Sequence, residues 1–355
     1  MNNENLGLKS APSGAQTTFH MKYNKIYVLA PYGHATGGVE LAHQLVDYLR
    51  NHNQEAYIVY EKDRSIEDTN DVTESYRQYN ISIAKAIEDN ENNILVLPEI
   101  YFDFIYEYTK IRIACWWMSV DGRYSRTNFW QGFRYKKTFI EKLRLIKWLL
   151  FNRNLFYRND NNLLYREDKR ITHFYQSAYA QHHLYSKGFS KILPLSDYIN
   201  TQFIGNLNIE RKNIVIYNPA KGYKFTKKII ASMPDVEFVA LKGFTREKLV
   251  TLMNTAKLYI DFGSFPGKDR LPREAVINGC VILTGKLGAS YFYEDVAIPS
   301  SYKIETKKSN ISLIKERIEY ILEHYNDCKS DMEFYKSRIL EEKGIFYNEI
   351  KKAFT

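Results

Sequence analysis

Residues 261–289 read DFGSFPGKDRLPREAVINGCVILTGKLGA. The stretch opens at the end of one apolar run, KLYIDFG, and holds a second, VILTG; PREAVINGC between them has helical character, with Pro272 suited to a first helical turn. Strand, loop, helix, strand is the unit of a parallel sheet, because parallel neighbours need a crossover on one face. The five glycines, two prolines and two charge clusters are poor core material. Their place after a strand puts them at the carboxyl edge of the sheet, where open α/β sheets bind ligands.

The same rhythm extends outward on both sides. NIVIYNP, VEFVAL and KLYIDFG alternate with the helix candidates KFTKKIIASM and TREKLVTLMNTA. Upstream, IYVLA, EAYIVY, NILVLPE and IRIACWWMSVDG alternate with LAHQLVDYLRNH and a second helix candidate, ESYRQYNISIAKAIED. THFYQSAYAQHHLYSKG closes this first unit. The expected fold is therefore α/β, with two Rossmann-like, doubly wound domains facing a cleft.

At 355 residues the chain is long enough for two cores. The expected division is a disordered tail over 1–22, a first domain over 23–197, a second over 198–325, and a final helix over 326–355 packing back toward the first domain. The step into MKYNKIYVLAPYG fits either a start at Met21 behind a leader or a natural extension. Hydrophobic residues at 45% and charged residues at 26% exclude wholesale disorder.

Lys and Arg exceed Asp and Glu by 50 to 41, which draws the protein toward anions. No RNA-recognition signature accompanies that charge, so nucleic acid is not an expected partner. The three cysteines, Cys115, Cys280 and Cys328, have no metal spacing and fit a reducing, cytoplasmic setting. No apolar run reaches the roughly 18 residues of a membrane span. His182 and His183 are adjacent and cannot face one metal from a helix, which makes them surface or packing residues.

The insertion over 133–168, FRYKKTFIEKLRLIKWLLFNRNLFYRNDNNLLYRED, fits neither domain's alternation. Phe139, Leu143, Ile146 and Leu150 share one helical face, with Lys142, Arg144 and Lys147 off it. Either that face packs on the first domain, or the segment lies on an anionic membrane surface, helped by Trp148.

Loops after strands supply the candidate site. GHATGGVE places Gly37 and Gly38 before a helix, where the backbone approaches a ligand closely and free N–H groups meet an anion. It lacks the third glycine of a dinucleotide fingerprint and the Gly-Lys-Ser/Thr of a phosphate loop. YNPAKG offers Asn218 and Lys221 at the start of another helix, and ALKGF offers Lys242 and Gly243. PGKDRLPRE brings Lys268, Asp269, Arg270, Arg273 and Glu274 together, and TGKLGA adds Gly285 and Gly288. A carboxylate near a helix start suits a ribose diol, while Lys and Arg suit a diphosphate. A nucleotide-diphosphate ligand uses all of these. With no Asp-x-Asp motif, neither a metal nor another cofactor is expected.

In GGVE (Gly37, Gly38, Glu40), AKG (Lys221, Gly222), REAVINGC (Glu274, Ala275) and GKLG (Gly285 to Gly288), the chain resembles bacterial glycosyltransferases of the GT-B fold. Within that fold it is similar to the large retaining group known as family four or group one. The likeness spans nearly all of residues 24–300; its motifs are moderately specific together and weak singly. It implies a second domain that holds the nucleotide sugar, with Glu274 on the ribose, and a first domain that holds the acceptor. The implied reaction is hexosyl transfer, with retention, to a hydroxyl of a bacterial surface glycan or lipid-linked acceptor at the inner face of the membrane. The group's first glutamate is replaced here by Pro266, its arginine before the loop lysine is absent, and MSVDG offers Ser119 and Asp121 where a histidine is usual. Asp269, Arg270, Lys221 and Asp121 are accordingly the expected catalytic residues. The rival expectation is a non-catalytic nucleotide- or glycan-binding protein on the same fold.

Overall fold

The computed structural model describes residues 22–63, 65–127, 139–151, 168–200, 204–205 and 209–355. The expected tail thus lies outside the described residues except for Lys22, as does most of the insertion.

The first sheet contains β1 (Ile26–Pro31), β2 (Ala56–Lys62), β3 (Ser65–Ile66), β4 (Ile94–Pro98), β5 (Arg112–Trp117), β6 (Ile171–Tyr175) and β7 (Ile192–Pro194) in the order β3-β2-β1-β4-β5-β6-β7. All pairs are parallel except β2 with β3, and β1 is paired along both edges, with Ile26 opposite both Ala56 and Ile94. Both faces of these strands are covered, so they read as continuous apolar runs rather than alternating ones. On one face lies α1 (Gly37–Asn51), whose buried stripe includes Leu41, Leu45, Val46 and Leu49. His43 is buried there, with Nδ1 2.7 Å from the Val39 carbonyl and Nε2 2.8 Å from the Tyr60 hydroxyl. Burial pulls its pKa down to about 4, so the ring packs as a neutral group.

The second sheet has the order β11-β10-β8-β9, all parallel, from β8 (Lys212–Tyr217), β9 (Glu237–Ala240), β10 (Ala256–Asp261) and β11 (Val281–Thr284). Its helices are α5 (Tyr223–Ala231), α6 (Arg246–Thr255), α7 (Arg270–Ile277), α8 (Ile311–Glu323) and α9 (Tyr325–Ser330), where α2 (Val120–Thr127), α3 (Phe139–Phe151) and α4 (Ala178–Ser186) precede them in the chain.

The last helix, α10 (Glu333–Phe354), belongs to both cores. Its 22 residues span about 33 Å, enough to cross the junction. Tyr335 and Ile339 complete the second core, while Phe346, Ile350 and Phe354 enter the first. There Phe346 stacks on Trp116, with centroids 6.5 Å apart, and Phe354 meets Phe174 at 5.7 Å.

Two expectations are corrected. The helix expected over 74–89 is only a short 3-10 turn, Glu74–Tyr76. Beyond it the chain runs beside β2: Ile58 N–H donates to the Ser82 carbonyl at 2.8 Å, and Ala84 N–H to the Ile58 carbonyl at 2.9 Å. β-Branched Ile81 and Ile83 suit that extended path, which supplies backbone partners a helix would have to forgo. Helix α3 forms within the insertion, but the described side chains of its apolar face do not pack inward. Phe139 is 75% and Leu150 74% exposed, and Ile140, Leu143 and Ile146 are exposed as well. The side chains of Trp148 and Leu149 lie outside the described residues.

Candidate active site

A cleft of about 540 Å³ lies between the carboxyl edges of the two sheets. From the first domain it is lined by Gly37 and Gly38 at the start of α1, Glu99 after β4, Met118 and Ser119 after β5, and Gln176 after β6. The second domain contributes Asn218 and Lys221 after β8, Asp261 at the end of β10, and Pro266 to Leu271.

The loop that follows β10 is drawn across onto the first domain. Val120 N–H donates to the Pro266 carbonyl at 2.8 Å, and Ser264 Oγ donates to Asp121 Oδ2 at 2.6 Å. The approach is too close for a side chain at residue 267: a Cβ on Gly267 would sit 1.9 Å from the Met118 carbonyl oxygen. Gly222, at φ +60°, likewise lies so near Gly263 that a Cβ would meet its nitrogen at 2.6 Å. Glycine at both positions is what lets the two loops converge.

Every charge of this loop already has a partner. Lys221 Nζ lies 2.5 Å from Asp269 Oδ2. Burial pushes the Asp269 carboxyl up, and Lys221 opposes the rise. Arg270 donates through Nε to Glu274 Oε1 at 3.2 Å and through Nη1 to Glu40 on α1, which ties the domains together. Glu40 also accepts from the Tyr79 hydroxyl at 2.8 Å. Asp261 is braced by Gly263 N–H and the Tyr259 hydroxyl, each at 2.9 Å, and burial raises its pKa to about 6.

Several residues expected to touch a ligand do something else. Arg273 is 0% exposed and does not line the cleft. It donates to Asp197 Oδ2 at 2.6 Å and to Glu342 Oε2, on α10, at 2.7 Å. Lys268 Nζ reaches the same Glu342 at 2.8 Å, although Lys268 also lines the cleft. Burial alone would raise the Asp197 carboxyl, but Arg273 and Lys268 outweigh it and hold it below the usual range. Glu274 is buried behind Arg270 and is not among the lining residues. Asp121 spends both oxygens on neighbours, Ser264 and the Tyr179 hydroxyl at 3.0 Å, as an interdomain bridge rather than a cleft group. Lys242 and Gly243 are exposed and do not line the cleft. Gly285 and Gly288 pack loops: a Cβ on Gly288 would meet the Phe265 carbonyl oxygen at 2.1 Å, and one on Gly285 would meet Thr306 Oγ1 at 2.8 Å. His173 and His183 are packing residues, bonded to Trp117 and Tyr124 at 3.0 and 2.9 Å.

Glu99, Gln176, Asp197 and Asp261 escaped the sequence reading. Glu99 directly follows the buried strand ILVLP, a position that could have marked it. It accepts from Met118 N–H at 3.0 Å, and burial pushes its carboxyl up to about 7.

No protein-family model matches the sequence, and no curated protein matches it. Solved structures do. HepE of Anabaena in complex with UDP-glucose superposes with a TM-score of 0.59 at 10% identity, covering 94% of this chain and 99% of that one. A glycosyltransferase from Rickettsia africae covers 92% and 99% at a TM-score of 0.52 and 12% identity. WaaG, a glycosyltransferase involved in lipopolysaccharide biosynthesis, covers 92% and 98% at 0.52 and 12%. TarM is matched at 0.48 over 74% of this chain, which spans 56% of that protein's length. The fold is GT-B: two parallel-sheet domains whose carboxyl edges face one cleft.

Proposed function

We propose that the chain is a glycosyltransferase that moves a sugar from a nucleotide-diphosphate donor to a hydroxyl acceptor. The observation that carries this reading is the convergence of Lys221, Lys268 and Arg270 with the glycine-led start of α1 on one cleft. Cations and unpaired helix N–H groups are what a departing diphosphate needs, and in a water-poor cleft their charge stabilisation is the largest catalytic effect available. HepE's complex with UDP-glucose makes UDP the first nucleotide to try.

In this reading the donor's phosphates displace Asp269 from Lys221, and the released carboxylate turns toward the sugar in the position where Pro266 offers none. The acceptor hydroxyl attacks from the side the leaving group vacates, and the leaving phosphate takes its proton, so configuration is retained and no metal is required. The second domain carries the donor and the first the acceptor, a bacterial surface glycan or a lipid-linked precursor. The exposed apolar residues of α3, interleaved with Lys142, Arg144 and Lys147, support docking at the inner face of an anionic membrane. Among the described residues no helix is long and apolar enough to cross one.

The internal ion pairs of Arg270 and Asp269 favour one rival, a binding protein on the same fold that has lost turnover. Calorimetry with UDP and a panel of UDP sugars, followed by slow donor hydrolysis without acceptor, separates the two. Binding with turnover supports transfer, and binding without turnover supports the rival. Lys221→Ala is expected to weaken UDP binding on the order of tenfold or more, the worth of a charge-assisted contact. Unchanged affinity in that variant overturns the donor site.

A further inference from the structure

Outside the cleft, the second domain has a pocket of about 360 Å³ between the loop leaving β11, the Ser300–Tyr302 turn and α8. Its walls carry three cations, Lys286, Lys303 and Arg317, together with Ser300, Ser301 and Asn310. The one carboxylate there, Glu305, is ion-paired with Lys307. None of these residues lines the cleft.

Among the described residues, two of the cations make their hydrogen bonds to uncharged groups. The Arg317 guanidinium lies over the Tyr302 ring, 4.3 Å from its centroid, and 5.3 Å from that of Tyr320. Its Nη2 donates to Ser301 Oγ at 3.1 Å, while its Nε is buried with no hydrogen-bond partner among the described residues. Ser301 accepts this bond, so its own proton remains to be donated. Lys303 is buried, and Nζ donates to the Phe292 carbonyl at 3.1 Å. Burial lowers its pKa to about 8; Asp295 and Glu294 resist that fall, and Lys286 adds to it. A buried ammonium that hydrogen-bonds only a carbonyl among the described residues, with a flat guanidinium on the same pocket wall, carries an electrostatic cost that a bound anion offsets.

We propose that this pocket is an anion site that takes a phosphate group, with Arg317 and Ser301 donating to its oxygens and Lys286 and Lys303 supplying charge. A planar guanidinium fork beside a hydroxyl matches the tetrahedral face of a phosphate monoester, and its ring stacking fixes the fork in advance. The phosphate could arrive free, on a soluble metabolite, or on a lipid headgroup; the chemistry recognised is the same. The site is independent of the donor reading.

The test is a titration of inorganic phosphate followed by NMR of the Arg317 Nε–H and by calorimetry. Lys221→Ala is titrated in parallel to separate binding in the cleft. The expected result is a saturable shift of the Arg317 resonance in both wild type and Lys221→Ala. Arg317→Gln and Lys303→Met should each lower affinity on the order of tenfold or more. Near pH 8 binding should also take up protons, because a bound anion raises the Lys303 pKa, and this uptake should vanish in Lys303→Met. If Lys303→Met does not fold, Lys286→Glu on the pocket rim serves in its place. Co-sedimentation with phosphatidylcholine vesicles containing phosphatidate identifies a headgroup source if free phosphate competes the protein off; binding of free phosphate alone identifies a soluble one. The proposal is overturned if wild type does not bind at millimolar phosphate, or if binding is lost in Lys221→Ala and kept in the pocket variants.

Discussion

Replacing Arg273 with Met tests whether this residue belongs to the ligand or to the fold. The substitution keeps most of the side-chain volume and removes the guanidinium. Glu342 retains Lys268 at 2.8 Å, but Asp197 loses its hydrogen-bonded partner, and its Oδ1 already has none among the described residues. Removing one member of a buried pair costs about 3–5 kcal/mol, most of it from the charge left behind. The pH dependence identifies that charge. In the wild type the folded pKa of Asp197 is depressed, so its contribution is present above the unfolded value near 3.9 and is lost as pH falls through the folded value. In the variant burial dominates and the folded pKa rises. The carboxylate then destabilises above its unfolded pKa, and protonation relieves it. The gap between wild type and variant should therefore be widest near neutral pH and narrow toward about pH 5. Urea unfolding followed by circular dichroism at both pH values measures it, and Asp197→Asn in the Arg273→Met background should restore part of the loss. A loss under about 1 kcal/mol, or one independent of pH, refutes the argument. So does a stable variant that no longer binds UDP, which would return Arg273 to the donor.

Asp269→Asn and Arg270→Ala should lower turnover more than UDP affinity, because in the proposed mechanism the first acts on the sugar, and the second breaks the domain contact through Glu40; equal losses in steady-state kinetics and calorimetry would make both merely structural. Glu99 has a folded pKa raised to about 7, so the native state binds the extra proton, and stability falls as pH rises from the unfolded value near 4.3 through 7. Glu99→Gln should flatten that slope in thermal melts across the interval, and an unchanged slope assigns it to another group. For α3, wild type should sediment with anionic vesicles at low salt and be released by salt, and Lys142→Glu, Arg144→Glu and Lys147→Glu together should abolish capture. Equal sedimentation of both proteins, or of neither, removes the membrane contact.

The alternation of apolar runs with helical periodicity was enough for the two-domain α/β class. A strand buried on both faces by crossover helices must be apolar throughout, and that pattern survives in one dimension. It misled over residues 74–89, where propensity suggested a helix but an open sheet edge beside Ile58 offered backbone partners. The cleft loops were legible as glycines and charges after strands, so Gly37, Gly38, Asn218, Lys221 and the run from Lys268 to Arg270 were found from the sequence and do line the cleft. What the sequence could not convey is direction. Arg270 and Arg273 lie in one short run of charge, yet three residues along α7 one helps line the cleft and the other points into the junction, where Asp197 and Glu342 wait 76 and 69 residues away. Likewise Glu99 became a cleft residue only when β4 was set beside β5 and the Met118 N–H fell within its reach. Charge type and spacing are local properties of the chain, whereas the partner that satisfies a buried charge is brought by the packing of distant segments, and that partner decides whether a residue holds a ligand or holds the domains together.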